Sequence, residues 1–199
     1  MTIAALKQLC RQVPWCAPCV LEPTVELALE IAREGREGRR IGTLFTLGRA
    51  EAVLTASRAM ILDPLAGHAP ARTHITDPDL RGTIKELAQL DGAFVISETG
   101  TVVASCRYLD ASAEQIELPL GLGSRHLAAA SISRLAGALA IVVSESGVVR
   151  VFHEGHIVAT LIPELWLLDR HHTQLTAGAA EVPRLGRELP DVDEVDQER

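Results

Sequence analysis

Gly121-Leu122-Gly123-Ser124-Arg125-His126-Leu127-Ala128-Ala129-Ala130 decides how this chain is read. Two glycines relax the backbone, and the residues after them have the composition of a helix start. Ser124 is placed to cap that helix by accepting a bond from a free backbone N–H. Arg125 and His126 then fall in the first turn, where side-chain cations oppose the helix dipole. A bound anion reverses that sign, because the free N–H groups, the dipole and both side chains then point at it. The stretch reads as a phosphate site, against the plainer alternative of a helix start with exposed charges. Its partner is Asp91-Gly92-Ala93, thirty residues upstream of Gly121.

Composition bounds the possibilities. The chain has 199 residues, enough for one domain with a sizeable core, or one domain with a tail. Apolar residues make up 47% and aromatics 3%, so Ala, Val, Leu and Ile must build the core. Nineteen Lys and Arg against 26 Asp and Glu leave a net charge of −7. That sign argues against nonspecific nucleic-acid binding. No apolar run is long enough for a membrane helix, and no signal peptide is visible. The expectation is a cytoplasmic protein with reduced cysteines.

Outward from the central stretch, the periodicities alternate. Met1 to Cys10 is a short apolar lead. Trp15-Cys16-Ala17-Pro18-Cys19 has thioredoxin-type Cys-x-x-Cys spacing but no preceding strand. Ordinary buried thiols, a redox pair and a metal site using Cys10, Cys16 and Cys19 all stay open. Thr24 to Arg33 reads as a helix, Ile41 to Leu47 as a strand, and Ala50 to about Arg58 as a short helix. Asp77-Pro78 starts another helix, with Asp77 as N-cap. Strands are expected at Gly92–Ser97 and Thr101–Cys106, then a crossing loop over Arg107–Glu117. The Ser124 helix ends at Gly137. Ala138 to Val143 is apolar throughout, as in a strand covered on both faces. Two hairpin strands follow, turning at Ser144–Gly147 and at His153–His156, and Pro163 opens a short helix. His153 and His156 have ligand-like spacing, although surface histidines at a turn are the commoner case. The whole reads as an α/β fold, a mixed central β-sheet flanked by helices. Residues 1–21 form a lead, 22–175 the domain, and 176–199 an acidic, disordered tail.

The two motifs together resemble the diadenylate cyclase domain family (DAC, or DisA-N), which joins two ATP molecules into cyclic di-AMP. That family carries Asp-Gly-Ala and then Gly-Thr-Arg-His-Arg. Here they stand as Asp91-Gly92-Ala93 and Gly123-Ser124-Arg125-His126-Leu127. Lys85-Glu86-Leu87-Ala88-Gln89-Leu90 before the first motif, Gly42-Thr43-Leu44-Phe45 and Val143-Ser144-Glu145 are similar to the family as well. The likeness extends over about residues 22–162.

The resemblance implies a nucleotidyltransferase that makes a second messenger and releases two pyrophosphates. It implies Asp91 beside the attacking 3′-hydroxyl, and Asp91 and Glu145 as ligands of a divalent metal, Mn²⁺ or Mg²⁺. Arg125 and His126 join Asp91 as catalytic residues. ATP is held by Gly92, Ala93, Leu109, Gly123, Ser124, Arg125, His126 and Ser144, with Leu109 near the adenine. Leu127 replaces the family's second arginine, with Arg107 and Arg134 as substitutes. The alternative is a catalytically weak module on the same fold that binds ATP or cyclic di-AMP. One chain carries one set of motifs, so the implied partner is a second copy. That is a face-to-face homodimer, weak or completed by ATP, or a higher homo-oligomer.

Overall fold

The computed structural model describes residues 3–110 and 116–169. Helix α1 (Ile3–Gln12) leads into α2 (Pro18–Glu34), and both precede the first strand. Then come β1 (Thr43–Leu47), α3 (Ala50–Thr55), β2 (Ser57–Ala59), a 3₁₀ turn at Pro70–Arg72, α4 (Pro78–Leu87), β3 (Ala93–Ile96) and β4 (Val102–Leu109). The chain finishes with α5 (Ser124–Leu135), β5 (Leu139–Val143), β6 (Val149–His153), β7 (His156–Leu161) and a helical turn over residues 163–169.

The strands form one mixed sheet in the order β2-β4-β3-β1-β5-β6-β7. Among the described residues only β1 and β3 pair in parallel; the other neighbours are antiparallel. Every residue of β1 and β5 is buried, as the unbroken apolar run Ala138 to Val143 requires. One face packs Phe45, Phe94, Ile141 and Val151 against α1, α2 and α4. Phe45 and Phe94 stack at 5.3 Å across the parallel pair. The other face packs Leu44, Val95, Val142 and Phe152 against α3 and against Ala129, Ala130 and Ile132 of α5.

Several expected boundaries move. The N-terminal lead is helical, and Leu6, Leu9 and Val13 are buried at helical spacing. Helix α2 begins at Pro18 rather than Thr24 and runs through Pro23, a residue that removes a helix donor. Arg81 of α4 braces that point. Its Nη1 donates to the Pro23 carbonyl at 2.7 Å and its Nη2 to Glu30 at 2.9 Å. Helix α3 stops at Thr55, so Arg58 lies on edge strand β2, stacked on the Tyr108 ring, rather than in a helix's last turn. Arg107, Tyr108 and Leu109 belong to β4 rather than to a crossing loop. Asp77 caps α4 as expected, accepting from Asp79 N at 2.8 Å and Leu80 N at 3.2 Å. Residues 171–172 and the acidic segment 176–199 lie outside the described residues.

Candidate active site at one edge of the sheet

One edge of the sheet collects the N-terminal ends of β1 and β3, the C-terminal end of β5 and the start of α5. Parallel pairing of Leu44 with Ala93 and antiparallel pairing of Thr43 with Val143 fix that alignment. Asp91 stands just before β3 and Glu145 just after β5. Both reach the same guanidinium. Arg125 Nη2 is 3.6 Å from Asp91 Oδ1, and its Nη1 donates to Glu145 Oε1 at 2.9 Å. All three side chains remain solvent-accessible, at 77% for Asp91, 66% for Glu145 and 42% for Arg125.

Glycines make this convergence possible. Gly92 has φ +107°, and a Cβ there would lie 2.5 Å from the carbonyl carbon of Cys106 and 2.8 Å from Arg107 N. Strand β4 bulges at that point, with Cys106 at φ 52° and a register shift between Ala93 and Val95. Gly92 therefore folds Asp91 closely over the bulge, and Ala93 fills the small buried position beside it. A Cβ at Gly42 would come within 2.7 Å of Arg125 Nη1 and 3.2 Å of Glu145 Cγ. The bare Gly42 thus makes room for the Arg125–Glu145 pair. Ser144 shapes the turn that carries Glu145; its Oγ accepts from Ser146 N at 3.2 Å.

The start of α5 differs from expectation. Gly123, not Ser124, is the N-cap, and no side chain caps the helix. The extended backbone of Gly123 (ψ −172°) draws Ser124 into the first turn, leaving its side chain exposed. The Gly123 carbonyl accepts from His126 N and Leu127 N. Among the described residues nothing accepts from the N–H groups of Ser124 and Arg125, so these donors are open to an anion.

His126 is buried, at 6% exposure. Its ring meets Phe152 edge-on at 6.1 Å. Arg150 Nη1 lies 3.2 Å from its Nε2 and donates to it, so the ring proton sits on Nδ1. Burial, then the positive charges of Arg150 and Arg125, hold the imidazole below the usual histidine range. It is neutral and does not oppose the helix dipole. In the unfolded chain this ring takes its proton near pH 6.5, but in the fold only at lower pH. The unfolded state binds more protons in that window, so this contribution to stability is complete above about pH 6.5 and lost as the pH falls toward the folded value. His126→Gln is expected to flatten the decline of the urea midpoint between about pH 7 and pH 5.

Arg150 was not singled out by the sequence. It lies on β6 opposite Val142, one residue inside the edge, half-buried, and no carboxylate pairs with it among the described residues. The signal was available in the alternation of Val149, Arg150 and Val151, where a charge faces a covered side of the sheet. The two suggested substitute arginines stand elsewhere. Arg107 is spent on Ser57 Oγ, Ser57 O and Leu54 O, and Arg134 sits in the last turn of α5, about 15 Å along the helix from Ser124. Leu127 is half-buried, whereas Leu135 near the other end of α5 is 67% exposed.

Leu109 ends β4 and is 5% exposed. The pairing of Ala93 with Arg107 brings it level with Asp91 on the same edge, but its side chain packs inward with Val53 and Leu54. His153 and His156 pair across the β6–β7 hairpin, and among the described residues no group of three or more potential ligands gathers. Asp91 and Glu145 bring two carboxylates to one guanidinium, and carboxylate oxygens are the hard donors that a divalent cation takes. An open cleft between α2 and α4 shares none of these residues, and its Arg81 and Lys85 both bond Glu30.

Residues 30–157 match the family model described as DisA bacterial checkpoint controller nucleotide-binding. A protein named diadenylate cyclase from Methanocaldococcus jannaschii is 46% identical over 149 residues, covering 74% of this chain and 47% of that protein. Another of that name, from Haloferax volcanii, is 39% identical over 150 residues, covering 75% and 55%. The chain therefore spans about half the length of the curated relatives it matches. A crystal structure described as a hypothetical membrane spanning protein from Bacillus cereus superposes with a TM-score of 0.50 at 24% identity, over 69% of this chain and 61% of that one. That likeness bears on the fold alone. The family match runs from late in α2 into β7 and takes in every element that carries Asp91, Arg125 and Glu145, so this chain belongs to the DAC family of DisA-type nucleotide-binding domains.

Proposed function

We propose that this chain is a diadenylate cyclase, joining two ATP molecules into cyclic di-AMP and releasing two pyrophosphates. The observation that carries the reading is the meeting of Asp91 and Glu145, fifty-four residues apart in sequence, on one guanidinium at a helix start with open N–H donors. The names of the two relatives supply the reaction.

Each 3′-hydroxyl attacks the α-phosphorus of the other ATP, a displacement in which positioning and charge neutralisation dominate. A bound Mn²⁺ or Mg²⁺ supplies Lewis-acid charge at the phosphates and at the attacking hydroxyl. Asp91 and Glu145 offer the carboxylate oxygens that hold it, and Asp91 orients the hydroxyl. Arg125 occupies the space between those carboxylates and turns to the triphosphate as ATP arrives. The N–H groups of Ser124 and Arg125, with the open backbone at Gly123, cradle the phosphates. His126 acts from beneath, holding the Arg150 guanidinium at the edge. Backbone groups at Gly92, Ala93 and Leu109 line the side toward the base, and Ser144 fixes the Glu145 turn. One edge carries one ATP, so the reaction needs a second copy facing it, related by C2 symmetry. Substrate supply puts the enzyme in the cytoplasm. Among the described residues no helix is long and apolar enough to cross a membrane.

The test is incubation with ATP and Mn²⁺ or Mg²⁺, with the nucleotide product identified by mass. Cyclic di-AMP with pyrophosphate is the expected result; ADP or AMP as the product would contradict the reading. A second reading, a weakly catalytic binding module, is favoured by Leu127 alone, and ATP binding without pyrophosphate release is its signature. Leu127 is half-buried near the helix start, so an arginine there can run its stem over the surface. Leu127→Arg is expected to tighten ATP binding by about tenfold at low salt, less at high salt, with a melting point within a few degrees of the native chain.

A further inference from the structure

Trp15-Cys16-Ala17-Pro18-Cys19 lies outside the family-matched residues, and nothing at the sheet edge uses it. Cys10 ends its helix turn in α1, and the chain then doubles back tightly, with Val13 N bonded to Leu9 O and Cys16 N to Val13 O. This brings Cys16 Sγ to 2.9 Å from Cys10 Sγ. Both thiols are buried, at 9% and 7% exposure, and both are free. Cys19, in the first turn of α2, is free and exposed. It follows Cys16 by three residues, in Cys-x-x-Cys spacing across the start of α2. Two sulfurs thus stand within about an ångström of bonding distance, with a third, exposed thiol three residues after Cys16.

We propose that Cys10, Cys16 and Cys19 form a thiol–disulfide exchange site that takes a small-molecule disulfide at Cys19 and passes the oxidation inward to a Cys10–Cys16 bond. In the first step the Cys19 thiolate attacks the disulfide RSSR, forming Cys19–S–SR and releasing RS⁻. Cys10 then attacks Cys19 Sγ, forming Cys10–S–S–Cys19 and releasing the second RS⁻. Cys16 attacks Cys10 Sγ and frees the Cys19 thiolate. In balance, the Cys10 and Cys16 thiols lose two electrons and two protons, and RSSR becomes two RSH. The two thiols share one hydrogen bond, and burial raises both above the usual thiol range. Exchange is therefore faster in mild alkali. The resulting bond ties the end of α1 to the start of α2. It also fixes Trp15, whose ring lies where a Cβ on Gly48 would have to go.

The test uses the full chain with excess oxidised glutathione at pH 8.5. Remaining thiols are then alkylated and the chain is digested with trypsin. Cleavage after Arg11 separates Cys10 from Cys16, so the expected product is peptide Gln8–Arg11 disulfide-linked to Gln12–Arg33, released by dithiothreitol, with fragmentation placing the alkyl group on Cys19; an alkyl group on Cys16 instead, the mark of a Cys10–Cys19 bond, overturns the inward transfer. In Cys19→Ser the same link is expected about tenfold more slowly. In Cys16→Ser the oxidation stops at Cys19, as a glutathione adduct or a Cys10–Cys19 bond. A native chain that carries glutathione on Cys19 alone, with Cys10 and Cys16 alkylated only after unfolding, overturns the site. Equal rates in the native chain and Cys19→Ser overturn the relay.

Discussion

Asp91→Asn is expected to cut cyclic di-AMP synthesis by at least about a hundredfold, the loss that follows removal of a positioned catalytic group. The melting point should hardly move. Asp91 is 77% exposed and lies 3.6 Å from Arg125, outside hydrogen-bond reach, and an exposed pair of that kind contributes about 0–1 kcal/mol. Asparagine keeps the shape and the acceptor oxygen but not the charge that a cation and an attacking hydroxyl need. Arg125 keeps its shorter bond to Glu145, so the edge stays assembled. Steady-state synthesis with saturating ATP and Mn²⁺, beside a thermal melt, separates chemistry from folding. Near-native synthesis by the asparagine chain would remove Asp91 from the mechanism.

Gly92→Ala carries the second large effect, of the opposite kind. The added methyl meets the Cys106 and Arg107 backbone at 2.5–2.8 Å, and φ +107° is strained for any L side chain. The obstructing atoms are main chain in the middle of a sheet, between β3 and the bulge of β4, and cannot swing aside as a side chain would. A cost of about 2–4 kcal/mol is expected, the scale of overpacking added to backbone strain. For a domain of this size that is a fall of about 5–15 °C in melting temperature. Whatever folds will carry Asp91 displaced from Arg125, so synthesis should fall further than stability. A melt unchanged within about 2 °C would show that the Asp91 loop has another way over the bulge.

Features set by local rules were legible in the chain. Asp77 caps α4 because its own carboxylate reaches N–H groups two and three residues on. Leu139 to Val143 is buried on both faces because nothing in it tolerates water. Asp91, Arg125 and Glu145 were nameable as candidates, and the fold joins them. What could not be read depends on residues distant in sequence. His126 looks like a first-turn cation until Phe152 and Arg150 close over it. Ser124 looks like a cap, and only the extended backbone at Gly123 takes it one position into the helix. The start of α2 at Pro18 is not marked by apolar periodicity, which becomes regular only from Thr24, and the bond from Arg81, fifty-eight residues away, to the Pro23 carbonyl has no local signal. The need for glycine at position 92 comes from a bulge fourteen residues later, where Cys106 takes a positive φ that no local pattern announces.

In the proposed reaction two copies of this edge, each holding one ATP, face one another. The most direct measurement is the rate of cyclic di-AMP formation against protein concentration at saturating ATP and metal. The face-to-face arrangement predicts a rate that approaches second order in protein when dilute, so that specific activity rises with concentration. ATP bound per chain should stay constant over the same range. Constant specific activity on dilution far below the dimer dissociation constant would contradict it.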